Sequence, residues 1–79
     1  MKTVRIDYFA VLREHAGKES EERSTAATTA GDLFAELSNE YSFPELSSVK
    51  VAVNDEFSQW DAEISEGDSV VFIPPVAGG

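Results

Sequence analysis

The chain predicts an α+β fold: a small mixed β-sheet, one main helix packed on one face of it, and an extended C-terminal tail. Three stretches carry that expectation. TVRIDYF alternates apolar and polar residues with the period of a half-buried strand. TAGDLFAELSNEY brings Ala30, Leu33, Phe34, Leu37 and Tyr41 to one side at helical spacing. SVVFI is apolar at successive positions, as a central strand requires when both its faces are covered.

Taken in order, Val4, Ile6 and Tyr8 form the apolar face of the first strand, against Arg5, Asp7 and Phe9. Phe9 falls with the polar set, so either the strand has ended there or an aromatic ring stands on the solvent side. AVLREHAG reads as one or two helical turns stopped by Gly17 as a C-terminal cap. KESEERS holds no apolar residue, yet it is long enough to pair with the first strand as a polar edge that resists unwanted pairing. Thr29 caps the main helix, with Asp32 at its positive end, and Gly31 weakens its first turn. Ser42 and Pro44 close it.

Val49, Val51 and Val53 alternate with Lys50, Ala52 and Asn54 in a further strand that breaks at Asn54 and Asp55. Phe57, Trp60 and Ile64 are apolar anchors in an otherwise polar, irregular connection. EGDS then supplies a turn, and the final strand stops at Pro74 and Pro75, which remove two ladder donors. The order is strand, weak strand, helix, strand, irregular segment and central strand. With the last strand beside the first, this is a β-grasp arrangement. Residues 1–73 are expected to form that domain and residues 74–79 the tail.

Composition restricts the function. A chain of 79 residues is near the lower limit for independent folding and buries roughly 60% of its unfolded surface, which leaves no room for a large catalytic cleft. Cysteine is absent, so there is no disulfide framework, thiolate nucleophile or cysteine-ligated metal. MKTVRIDYF lacks the apolar run of a signal peptide or membrane helix, and a cytoplasmic location is expected. The net charge of −9 argues against nucleic acid as a partner. Beyond Lys50 the chain carries only acids (Asp55, Glu56, Asp61, Glu63, Glu66 and Asp68), so the part bearing the tail reads as an acidic end. That end either attracts basic protein surfaces or serves solubility.

Groups suited to catalysis are few. His15 is the lone histidine, in the helix-end context REHAGK, so no histidine cluster can hold a metal and any Ser/His/Asp triad would depend on it. Asp55 and Glu56 read as a solvated turn, and no glycine-rich phosphate loop is present. No metal or cofactor is expected to bind this chain by itself.

Elimination leaves the end, FIPPVAGG. Pro74 and Pro75 hold the stem extended, and residues 74–79 can project by up to ~20 Å at ~3.3 Å each. Gly78 and Gly79 have no Cβ to clash with the walls of a narrow tunnel. The terminal carboxylate is ionised at neutral pH and is a poor electrophile, so it reacts only after activation, as by adenylation with ATP on a partner enzyme. Frayed termini are also rich in small residues. The Pro-Pro brace directly after a buried strand favours a working tail over a frayed one.

These residues resemble a known family, the small sulfur-carrying subunits of molybdopterin synthase, which are ubiquitin-like. The resemblance spans nearly the whole chain and rests on FAVLREHAG, TAGDLFAEL, VAVND and above all EGDSVVFIPPVAGG. It implies the β-grasp fold and a chemistry located in the tail. An E1-like adenylating enzyme would adenylate Gly79 with ATP, and a sulfurtransferase system would convert it to a thiocarboxylate. Pro74, Pro75, Val76, Ala77 and Gly78 would thread the tail into the large subunit of the synthase. There the sulfur would pass to precursor Z to build the molybdopterin dithiolene.

By the same resemblance the chain is not catalytic alone, and it joins a heterotetramer with two large subunits. Phe9, Phe57 and Ile73 match the family's apolar patch, which docks both the activating enzyme and the large subunit. For Phe57 an inward-folded loop aromatic is the alternative, and for Ile73 burial. Three other readings share the Gly-Gly end: a sulfur carrier for thiazole or thiolated tRNA, a protein modifier conjugated through Gly79, and an interaction domain with an inert tail.

Overall fold

The computed structural model describes residues 1–44 and 48–75 of the chain. Seven elements follow one another: β1 (Lys2–Tyr8), α1 (Ala10–Ala16), β2 (Ser20–Thr25), α2 (Ala30–Tyr41), β3 (Lys50–Val53), β4 (Glu56–Ser58) and β5 (Ser69–Ile73). The strands form one mixed sheet in the order β2-β1-β5-β3-β4. β5 runs parallel to β1 and antiparallel to β3, so the final strand is central, as expected.

Helix α2 covers one face of the sheet. Val4, Ile6 and Tyr8 of β1, Val51 of β3, and Val70 and Phe72 of β5 meet Leu33 and Leu37 of α2 in a sealed core with Leu12 from α1. Fully burying one such side chain contributes roughly 1.5–3 kcal/mol. Phe34 packs its ring 4.9 Å from that of Phe72, and Trp60 stacks on the same Phe72 ring at 6.0 Å. Thr29 caps α2 as expected, its Oγ1 accepting the Asp32 N–H at 3.1 Å. Gly31 has a packing role rather than a helical one. Its N–H donates to the Trp60 carbonyl at 2.8 Å, and a Cβ there would stand 3.2 Å from that oxygen.

The polar edge strand is present as expected, with an anchor that the sequence did not show, and two other expectations needed correction. The weak second strand is a full six-residue partner of β1, and its anchor is polar. Glu21, Arg23 and Thr25 alternate inward: Tyr8 and Tyr41 hydroxyls donate to Glu21, Arg23 bonds Glu36 and Glu40, and Thr25 donates to Glu36 at 2.7 Å. The connection after β3 is not irregular. Asn54 and Asp55, at φ 53° and 70°, form a two-residue turn that returns β4 antiparallel along β3. Finally, β5 is sealed on one face only: Val70 and Phe72 are fully buried, while Val71 and Ile73 on the other face are half-buried.

Candidate functional site

The root of the tail is built at the meeting of β1, α1 and β5. The parallel register pairs Tyr8 with Phe72, which brings the next residues, Phe9 and Ile73, to the same end of the sheet. After Phe9 the chain turns sharply into α1, with Ala10 in the left-handed region at φ 52°. The Phe9 ring is 50% exposed, so both readings of its position hold: the strand has ended, and the ring faces out. Phe9, Ala10, Val11, Glu14, Ile73, Pro74 and Pro75 line one cleft of about 470 Å³. Pro74 is buried at its base and Pro75 is exposed. Val76, Ala77, Gly78 and Gly79 lie outside the described residues.

Phe57 stands on β4 with 73% of its surface exposed, which overturns the inward-folded alternative. It is not a neighbour of Phe9. Strand spacing of ~4.8 Å separates β4 from β1 by about 14 Å across β3 and β5. Two residues that the sequence did not single out bridge the gap. Ala52 lies directly opposite Phe57, and Val71 directly opposite Ala52, so an apolar stripe crosses the uncovered face toward Ile73. Alternation contains the signal for both: if Val51, Val53, Val70 and Phe72 face the core, Ala52, Val71 and Ile73 face away from it.

The charge around this surface differs from the sequence reading. β5 enters the sheet beside Val53 and leaves it beside Lys50. Asp55 in the β3–β4 turn, Glu56 at the start of β4, and Glu66 and Asp68 before β5 therefore lie at the pole opposite the tail root. Glu66 accepts the Thr3 N–H at 2.9 Å, and Asp68 accepts from Asn54 at 3.0 Å and from the Ser65 N–H at 2.7 Å. Glu66 and Asp68 thus order turns, and the tail root is flanked by Lys50, opposite Ile73, and by Glu14 in the cleft.

Other features offer less chemistry. His15 places its ring edge against Phe43, with centroids 6.4 Å apart. Among the described residues no three His, Asp or Glu side chains converge as a metal site, and no helix is long and apolar enough to cross a membrane. A second groove, of about 460 Å³, lies on the helix side between Phe34, Val49 and Trp60, and among the described residues no ionisable side chain lines it.

A fold of this kind with a tail rooted in its central strand has known counterparts. A family model described as the ThiS family matches residues 6–79. The chain belongs to the ThiS family. In keeping with that ThiS-family membership, it is 33% identical over 85 residues, covering 100% of both chains, to the molybdopterin synthase sulfur carrier subunit of Mycobacterium tuberculosis. Its structure is similar to a putative molybdopterin converting factor subunit 1 from Pyrococcus furiosus, with a TM-score of 0.82 and 30% identity over 96% of this chain and 100% of that one. It is also similar in fold to SAMP1 of Haloferax volcanii, with a TM-score of 0.78 and 23% identity over 98% and 99% of the two chains. This ThiS-family chain is a ubiquitin-like β-grasp protein and a sulfur carrier of that family.

Proposed function

We propose that this chain is the sulfur carrier subunit of a molybdopterin synthase, and that Gly79 is its reactive residue. The observation that supports this most is the full-length similarity to the Mycobacterium tuberculosis sulfur carrier subunit in a chain whose central strand ends in Pro-Pro-Val-Ala-Gly-Gly. The Gly79 carboxylate attacks the α-phosphorus of ATP on an E1-like adenylating enzyme, and pyrophosphate leaves. A sulfur nucleophile supplied by a sulfurtransferase then attacks the acyl carbon and displaces AMP, a far better leaving group than oxide. Where that nucleophile is a persulfide, the product is an acyl disulfide, and a thiol cleaves its S–S bond to free the thiocarboxylate while becoming part of a new disulfide; the tail then enters the large subunit and delivers sulfur to precursor Z.

The fold suits a carrier in two ways. β5 is held on both sides by strands, so the tail root has a fixed origin. Pro74 and Pro75 start the arm beside the Phe9 cleft, and neither can donate to a further strand. Phe9, Ile73 and Phe57, joined by Val71 and Ala52, form the surface on which the large subunit and the activating enzyme dock in turn. ATP belongs to the activating enzyme. A cytoplasmic location would give the activating enzyme its ATP.

Reconstitution tests the reading. Incubation with the adenylating enzyme, ATP and a sulfur source should give the mass of one oxygen-for-sulfur exchange. The product, mixed with large subunit and precursor Z, should yield molybdopterin. Deletion of Gly79 should abolish both results while the circular dichroism spectrum stays unchanged. Thiocarboxylate without molybdopterin would assign the sulfur to another acceptor, and a ladder of conjugates in cell extracts would make the chain a modifier.

A further inference from the structure

The cations of this acidic chain separate into used and unused ones. Lys2 donates to the Ala27 carbonyl at 2.7 Å, Lys18 sits 3.6 Å from Glu21, and Arg23 bonds Glu36 and Glu40. These three hold β2 and its flanking segments in place. Arg5 pairs with Asp7 and Arg13 with Glu19, each at 3.5 Å. Lys50 remains. Among the described residues no carboxylate lies within ion-pair distance of it.

Its position gives this meaning. Lys50 opens β3 directly opposite Ile73, and register places it on the same face as Ala52, Val71 and Phe57. The residues of β5, β3 and β4 on that face are Ser69, Val71, Ile73, Lys50, Ala52 and Phe57, so the one charge these strands place there is positive, while Glu14 of α1 borders the Ile73 end across the Phe9 cleft. The opposite half carries the Arg5–Asp7 pair and Glu22.

We propose that Lys50 selects the large subunit on the docking face: where the large subunit covers Ile73 and Phe57 it presents an Asp or Glu carboxylate to the Lys50 ammonium. The inference rests on the docking face proposed above and adds to it the chemistry of the partner's rim. A net charge of −9 opposes an acidic rim at long range, but screening at physiological salt has a length of ~8 Å, and Asp55, Glu56, Glu66 and Asp68 lie at the far pole. At contact range, between Ile73 and Phe57, the sign is that of Lys50, with Glu14 on the far side of Ile73. A rim pair of this kind acts chiefly on the association rate and on the rejection of wrong partners. A lysine on an open sheet face can instead serve only to prevent self-association, and the two roles are separable.

Binding of the wild-type chain to the large subunit of molybdopterin synthase from the same source is compared with Lys50→Ala, Lys50→Glu, Lys50→Arg and Phe57→Ala, at low and physiological salt. Lys50→Glu should raise Kd about tenfold at low salt, mostly through a slower association rate, and Lys50→Ala about threefold. Lys50→Arg should bind like wild type, the Lys50→Glu penalty should shrink as salt rises, and all variants should keep the wild-type melting temperature. If Lys50→Glu binds like wild type while Phe57→Ala is weakened, the inference falls and the docking face stands. Increased self-association of Lys50→Glu with unchanged partner binding would likewise overturn it. If Phe57→Ala also binds like wild type, the docking face itself falls.

Discussion

Glu21 occupies an inward position of β2, where an edge strand usually places an apolar side chain. Burial pushes its carboxyl up, but the hydroxyls of Tyr8 and Tyr41 and the charges of Lys18 and Arg23 outweigh that cost and hold it below the ordinary glutamate range. The same contact acts oppositely on Tyr8: burial, with the hydrogen bond to Glu21, keeps that phenol protonated far above its usual range. A carboxyl with a depressed folded-state pKa contributes stability that is complete above its unfolded value, about 4.3, and is lost as pH falls through the folded value. Stability from this group should thus be constant from pH 8 to 6 and decline below about pH 4.5. In urea denaturation the gap between wild type and Glu21→Gln should be widest at neutral pH and close toward pH 3. A gap that widens with acid would contradict this assignment. No local pattern reveals the role, because the two tyrosines lie 13 and 20 residues away in the chain. KESEERS by itself shows only that the segment is polar.

At the scale of elements, the β3–β4 hairpin shows how a short strand escapes sequence reading. β4 has three residues, Glu56, Phe57 and Ser58, too few to display a period. The turn before it left a trace. Asn54 and Asp55 both adopt positive φ, 53° and 70°, a conformation that asparagine and aspartate tolerate better than most residues do. Asp55→Gly removes the Cβ strain at the second position and should raise the unfolding free energy by about 0.5–1 kcal/mol, part of the gain being offset by glycine's flexibility when unfolded. Urea denaturation measures it, and a loss of stability would mean that the turn is not of this type. The other elements were far more legible. Gly17, at φ 77°, ends α1 through its N–H to the Arg13 carbonyl, and Thr29 starts α2. Both are short-range steric and hydrogen-bonding effects that involve only neighbouring residues.

For the whole molecule, the sheet separates stability from recognition. Its helix side holds the core, and its other side holds the apolar stripe, Lys50 and the root of the tail. Phe72 and Phe57 test this division with the same chemical change. Phe72→Ala, at a fully buried site, should cost about 3–5 kcal/mol, a large part of what so small a domain has. Phe57→Ala, at a site 73% exposed, should change stability by no more than about 0.5 kcal/mol and yet weaken partner binding. Equilibrium denaturation beside binding titrations would show both, and a destabilised Phe57→Ala would place that ring in the core. Local chemistry along the chain was enough for the strand periods, the helix caps, the central place of SVVFI and its end at Pro-Pro, because each depends on residues a few positions apart. Tertiary pairing alone decided that Glu21 and Arg23 anchor β2, that Ala52 and Val71 join Phe57 to Ile73, and that Lys50 rather than the acidic third of the chain flanks the tail. Each of these follows from the register between distant strands, where a slip of one residue would exchange the buried face for the open one.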